Sequence, residues 1–73
     1  MGTTVRVRAA WAAKAKEQAG GLSGLADRLG VDISTTSRQL AGKSEPSSRF
    51  IGAVMTKYSV DFDEAFELID LAA

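Results

Sequence analysis

Glycines at short intervals divide this 73-residue chain into segments, and they constrain its fold more than any other feature. Apolar residues recur every three or four positions through most of the chain, which is the spacing of a buried helix face. Gly20-Gly21, Gly30 and Gly42 interrupt that spacing. Because glycine readily adopts the left-handed conformation that follows a helix end, each interruption predicts a tight turn. We therefore expect short helices that pack against one another.

The periodicity predicts a single domain, residues 1–73, folded as an all-α bundle of five helices. The expected helices cover about 5–18, 22–29, 33–41, the segment from the 42–47 loop to Tyr58, and about 61–71. One alternative stays open at the start of the chain. Val5-Arg6-Val7-Arg8 alternates as a short strand or an arm would, although the alanine-rich run that follows favours a helix.

The composition excludes several classes of function. The chain has no cysteine and no histidine, so it has neither disulfides nor the ligands of a zinc site, and we expect no metal and no cofactor. No nucleophile with a matching base and no phosphate-binding loop are present, so we expect neither an enzyme nor a small-molecule substrate. The sequence also lacks a membrane span and a secretory signal, which predicts a cytoplasmic protein without a membrane partner.

Charge is distributed unevenly although the net charge is zero. Residues 1–60 contain all nine Lys and Arg and four acidic residues, whereas residues 61–73 contain five acidic residues and no basic one. The first 60 residues therefore carry a balance of +5 and the tail a balance of −5. A basic body of this kind is compatible with a polyanionic partner such as a nucleic acid.

Several short motifs at fixed spacing occur between residues 22 and 70: Leu25-Ala26, Leu29-Gly30-Val31, Ser34-Thr35, Ser37-Arg38, Leu40-Ala41-Gly42-Lys43 with Pro46, and Tyr58-Ser59-Val60-Asp61-Phe62-Asp63-Glu64-Ala65-Phe66. On these motifs, residues 22–42 resemble the helix-turn-helix of the Cro/phage-repressor family, and the likeness extends over about 22–70. The resemblance implies a five-helix, lambda-repressor-like bundle that inserts its second motif helix into the major groove of DNA.

Three positions depart from the family pattern. Thr36 and Gln39 occupy positions where relatives usually place apolar side chains that face the core. Thr36 is nearly the shape of valine and can donate its hydroxyl to a carbonyl three or four residues earlier. Leu22 lacks the polar side chain by which many relatives hold a phosphate. Because Thr36 and Gln39 break the apolar pattern of the second motif helix, we expect that helix to be only modestly stable.

The resemblance also implies which residues contact DNA. Ile33, Ser34, Ser37 and Arg38 are expected to face the bases, with Arg38 pairing to O6 and N7 of guanine. The residues expected to contact phosphates are Arg28, Lys43 and Arg49. Asp32 is expected to cap the second motif helix, because a carboxylate close to DNA phosphates would weaken binding.

The apolar end of the chain predicts a second copy as a partner. The expected fifth helix carries more apolar residues than one inward face needs, and the expected dimer interface comprises Phe62, Phe66, Leu68, Ile69 and Leu71. Two-fold dimers that bind two half-sites gain specificity over one recognition helix alone. We therefore expect a homodimer formed through a helix at about 61–71.

Together these features predict a sequence-specific regulator of transcription that binds a double-stranded DNA operator. It would be of the Cro or minimal-repressor type and would control lysis and lysogeny in a phage-infected host or a lysogenic bacterium. Two alternatives stay open: a module that uses this fold to bind another regulator or a host protein, and an antitoxin or recombination directionality factor. The neutral net charge, Thr36 and Gln39 favour the interaction module.

Overall fold

The computed structural model describes residues 2–71, which form five helices and two strands. The helices are α1 (Ala9–Gln18), α2 (Leu22–Leu29), α3 (Ile33–Leu40), α4 (Ser48–Tyr58) and α5 (Phe62–Ala65). The strands are β1 (Thr3–Val7) and β2 (Phe66–Asp70). Within the described part of the chain, no helix has the length and apolar character needed to cross a bilayer.

The prediction of an all-α fold is wrong, because β1 and β2 pair as an antiparallel two-stranded ribbon. Thr3 lies opposite Asp70 and Val7 lies opposite Phe66. At the far end of the ribbon, the N–H of Leu71 donates to the carbonyl of Gly2 at 2.8 Å. The ribbon therefore joins the two ends of the described chain, and the helices lie between them in sequence.

The first helix begins later than predicted. Residues 3–7 form β1, so the alternation of Val and Arg marks a strand, and Arg8 is the extended residue that precedes α1. The N–H of Arg8 donates to the carbonyl of Ala65 at 2.8 Å, which continues the connection between the two chain ends. Successive side chains of a strand point to opposite faces, so Val7 is buried in the core while Arg6 is exposed.

The fifth helix is one turn long and does not extend over 61–71 as predicted. An acidic residue stabilises its start, since the Glu64 carboxylate accepts from the N–H of Asp61 at 3.4 Å. The helix ends because Phe66 is extended, with φ −129° and ψ 160°. This conformation buries Phe66 completely and stacks it on Phe62 with 5.2 Å between the ring centroids. Core packing thus overrides the helical spacing of the tail.

The α2–α3 hairpin is held by its turn and by a close approach to α1. Gly30 has φ +70° and the N–H of Val31 donates to the carbonyl of Ala26 at 3.1 Å, which turns the chain from α2 into α3. A Cβ added at Gly24 would collide with the carbonyl oxygen of Ala19. Only glycine therefore lets α2 lie this close to the end of α1.

One apolar core joins the helices to the ribbon. α4 packs against α2 and α5, and its Phe50 and Val54 are completely buried. The other buried members come from every remaining part of the fold except α3: Val7, Ala12, Ala15, Leu25, Leu29, Ala65 and Phe66. α3 contributes Leu40 at the edge of this core, and four of its eight residues are exposed: Ile33, Ser34, Ser37 and Arg38.

Candidate nucleic-acid interface

The start of α3 is fixed by Asp32, which is its N-cap. The Asp32 carboxylate accepts from the N–H of Thr35 at 3.0 Å and from the Thr35 hydroxyl at 2.7 Å. These hydrogen bonds stabilise the ionised carboxylate and hold the pKa of Asp32 below its ordinary value. The carboxylate is thus engaged by its own helix, and the first turn of α3 has a defined orientation.

The outward side of α3 forms a shallow open depression of about 350 Å³. Its lining comprises Leu22 of α2 and all four residues expected to face bases: Ile33, Ser34, Ser37 and Arg38. We call these four residues the reading face. They occur at i, i+1, i+4 and i+5, which places them along one side of a helix. The structure therefore brings together the complete set of candidate base contacts.

The chemistry of the reading face is mixed, and it is accessible. Ile33 is 48% exposed, whereas isoleucine is among the residues most often buried in a core. Two hydroxyls and a guanidinium surround it, and within residues 2–71 the Arg38 guanidinium makes no ion pair. Such a surface offers hydrogen bonds to base edges, a fork for guanine and a methyl group for thymine.

The inward side of α3 explains the two departures from the family pattern. Thr36 is completely buried and its hydroxyl donates to the carbonyl of Asp32 at 2.9 Å, which confirms the bond predicted for it. Gln39 is also buried, and its side-chain oxygen accepts from the N–H of Ser47 at 3.2 Å. Ser47 is the N-cap of α4. Gln39 therefore links α3 to α4, a role that an apolar side chain cannot perform.

Two of the three predicted phosphate contacts lie near α3. The N–H of Lys43 donates to the carbonyl of Arg38 at 2.9 Å, so the loop after α3 folds back onto the end of that helix. Arg49 lies in the first turn of α4 and lines a recess of about 260 Å³ with Asp32 and Thr35 at the other end of α3. Arg49 thus lies near the start of α3, whereas Lys43 follows its end and lines a recess with Arg6 and Ile69 of the ribbon.

The structure places the third predicted phosphate contact, Arg28, in different surroundings. Its guanidinium carbon lies 5.9 Å from the centroid of the Tyr58 ring, which in turn packs edge-on against Trp11. A cation above an aromatic face gains a favourable interaction there without DNA. Arg28 is thus packed against α4 and is not grouped with the reading face.

Lys16 is a cation beside the reading face that the sequence reasoning missed. It belongs to the last turn of α1 and lines a recess with Leu22 and Ser37, both of which also line the depression on α3. A signal for it was present, since Ala9, Ala13 and Lys16 have the i, i+4, i+7 spacing of one helix side. This spacing places Lys16 on the same side of α1 as the two alanines, but its proximity to Ser37 depends on how α1 packs beside α3.

The acidic tail pairs with two basic residues at the start of the chain. Glu67 forms ion pairs with Arg6 at 3.1 Å and with Arg8 at 3.4 Å. Arg8 also donates to the carbonyl of Asp63 at 2.7 Å. Glu67 thus offsets one of the two positive charges beside it, while Lys16, Arg38, Lys43 and Arg49 make no ion pair within residues 2–71. Unpaired positive charge thus remains on and around α3.

Comparison of the chain with protein-family models, curated proteins and solved structures finds no match. Membership of the Cro/phage-repressor family therefore stays a prediction from the motifs of residues 22–70. Within the described residues, no group of three or more acidic side chains is arranged to hold a metal ion.

Proposed function

We propose that this chain binds double-stranded DNA in a sequence-dependent manner and regulates transcription. The observation that carries the proposal is the reading face. One side of α3 presents in a single depression an exposed isoleucine, two serines and an arginine that makes no ion pair within residues 2–71. The hairpin with α2 holds that helix in place. These residue types can discriminate base edges in a major groove, and Lys43 and Arg49 can contact the adjacent phosphates.

The particular role is a Cro or minimal-repressor type of regulator in a phage or prophage, acting in the cytoplasm that contains the operator. Support for this narrower proposal comes from the motifs of residues 22–70 alone.

The proposal includes a homodimer. Because residues 66–70 form β2 and not a helix, its interface would be formed by β2 and the residue that follows it. Phe66 is completely buried and has no surface to offer, but Leu68 and Leu71 are 66% and 60% exposed. The ribbon has two strands in the described part of the chain, so one edge of β2 is bonded to no strand. Exposed leucines beside an unpaired strand edge suit a second copy. Light scattering that shows a monomer at micromolar concentration, with and without operator, would contradict the dimer.

The test of DNA binding is a salt titration on duplexes from the gene neighbourhood of this protein. Four to six phosphate contacts per dimer should give a log–log slope of affinity against salt of about −4 to −5. Arg38→Ala should reduce discrimination between operator and mixed sequence by about 1–3 kcal/mol, whereas Lys43→Ala should weaken binding to both alike. Absence of salt-sensitive binding to every duplex would favour the protein-interaction module.

A further inference from the structure

A second groove adjoins the reading face, between α1 and α3. It has a volume of about 290 Å³, and α1 and α3 form its two walls. We call it the α1–α3 groove. Its lining includes Ala9, Ala13, Lys16, Leu22, Ser37 and Ala41. Leu22 and Ser37 also line the depression on α3, so groove and reading face form one continuous surface.

The α1 wall of the groove is small and ends in a positive charge. Ala9 and Ala13 are exposed and carry single methyl groups, so an extended polymer can approach the helix closely. One helical turn further, Lys16 is exposed and makes no ion pair within residues 2–71. The exposed positive charge of Lys16 at this end of the groove suits a polyanionic strand.

The position of Lys16 relative to α2 is fixed by the backbone. Its carbonyl accepts from the N–H of Gly21 at 2.8 Å, and Gly24 lies directly against the carbonyl of Ala19. The end of α1 and the beginning of α2 are therefore held together without a flexible linker. Lys16 consequently extends from a rigid point beside Leu22, whose side chain cannot bind a phosphate.

We propose that the α1–α3 groove holds one sugar–phosphate strand of the bound duplex and that Lys16 contacts a phosphate of that strand. The inference rests on the proposed function and extends it to a helix outside the helix-turn-helix. Lys16 supplies the phosphate contact that Leu22 lacks, and the small side chains of Ala9 and Ala13 admit the sugars.

Lys14 provides a matched control for Lys16. It is a lysine of the same helix, but it lines a recess with Trp11, Tyr58 and Glu64 on another side of α1. Binding of Lys16→Gln and Lys14→Gln to a short mixed-sequence duplex should be compared by fluorescence anisotropy between about 50 and 200 mM salt. Lys16→Gln should weaken binding about 5- to 10-fold per bound chain and reduce the magnitude of the slope by about 0.9. Lys14→Gln should leave both unchanged.

A second pair tests the wall of the groove independently of Lys16. Ala13→Glu adds a bulky negative charge inside the groove, whereas Ala10→Glu makes the same change at an exposed position of α1 outside it. The first should weaken duplex binding at least 10-fold and the second much less. Circular dichroism and thermal unfolding establish that each variant is folded, and if Ala13→Glu unfolds, the lysine pair decides.

The outcomes separate the two proposals. If the natural chain binds the duplex with a salt slope and Lys16→Gln behaves like Lys14→Gln, the groove proposal is overturned while DNA binding stands. If the natural chain binds no duplex with salt sensitivity, both are overturned. A selective loss in Lys16→Gln and Ala13→Glu supports the groove.

Discussion

The α2–α3 hairpin and the β1–β2 ribbon differ in how far along the chain their partners lie. The hairpin joins neighbouring segments through a turn at Gly30, and its hydrogen bonds connect residues a few positions apart. The ribbon pairs Thr3 with Asp70 and Val7 with Phe66, from opposite ends of the described chain. A local structure is encoded in local signals, whereas a long-range pairing depends on the core that brings its strands together.

The largest effect is expected where the ribbon enters the core. Phe66→Ala removes a completely buried ring that stacks on Phe62, and it should reduce the free energy of unfolding by about 3–5 kcal/mol. Leu68→Ala on the same strand is the control, because Leu68 is mostly exposed and its loss should cost under about 0.5 kcal/mol. Urea unfolding followed by circular dichroism measures both. Equal losses would contradict the difference in burial between Phe66 and Leu68.

The next effect concerns the close contact between α1 and the hairpin. Gly24→Ala forces a methyl group against the carbonyl of Ala19 and should cost about 1–3 kcal/mol in stability. Gly52→Ala is the matched change, since Gly52 lies in α4 with open space around its Cα. It should stabilise the protein by about 0.5–1 kcal/mol. Thermal unfolding of both variants should give shifts of opposite sign, and shifts of the same sign would contradict the close contact.

A smaller effect is expected at the link between the hairpin and α4. Gln39→Leu keeps most of the buried volume and removes the acceptor of the Ser47 N–H, so it should cost about 1 kcal/mol. Gln18→Leu, at an exposed position of α1, should change the free energy of unfolding by less than about 0.5 kcal/mol. Chemical denaturation compares the two. A higher free energy of unfolding for Gln39→Leu would show that the Gln39 amide destabilises the fold.

The smallest effect is a pH dependence at the turn of the hairpin. The folded protein lowers the pKa of Asp32, so ionised Asp32 contributes stability at neutral pH. That contribution is present above the pKa of the unfolded chain and is lost as the pH falls through the lower pKa of the folded state. Asp32→Asn keeps a capping side chain that does not titrate. The stability advantage of the natural chain over Asp32→Asn should therefore shrink below about pH 4, as pH-dependent thermal unfolding can measure.

The helix-turn-helix segment was predictable because each of its signals is local. Gly30 supplies the turn, Asp32 supplies the cap of α3, and the apolar spacing of α2 and α4 marks their buried sides. The four residues of the reading face followed from the register of the motif, and the structure places them in one depression.

The ribbon was not predictable from local spacing. Phe62, Ala65, Phe66 and Ile69 stand at i, i+3, i+4 and i+7, which is also the spacing of a helix face. Only the pairing with β1, far away in sequence, makes the extended form of Phe66 the better one. Lys16 was missed for a different reason, because its proximity to Ser37 depends on how α1 packs beside α3.

The pairing of Thr3 with Asp70 also has a consequence for the order in which the protein acquires its structure during synthesis. At typical translation rates the ribosome needs on the order of 3 to 13 s to add the residues between β1 and the end of β2. Helices form in microseconds or less, whereas β1 waits seconds for its partner strand. During that interval Arg6 and Arg8 of the nascent chain lack Glu67, the carboxylate that pairs with both of them in the folded protein.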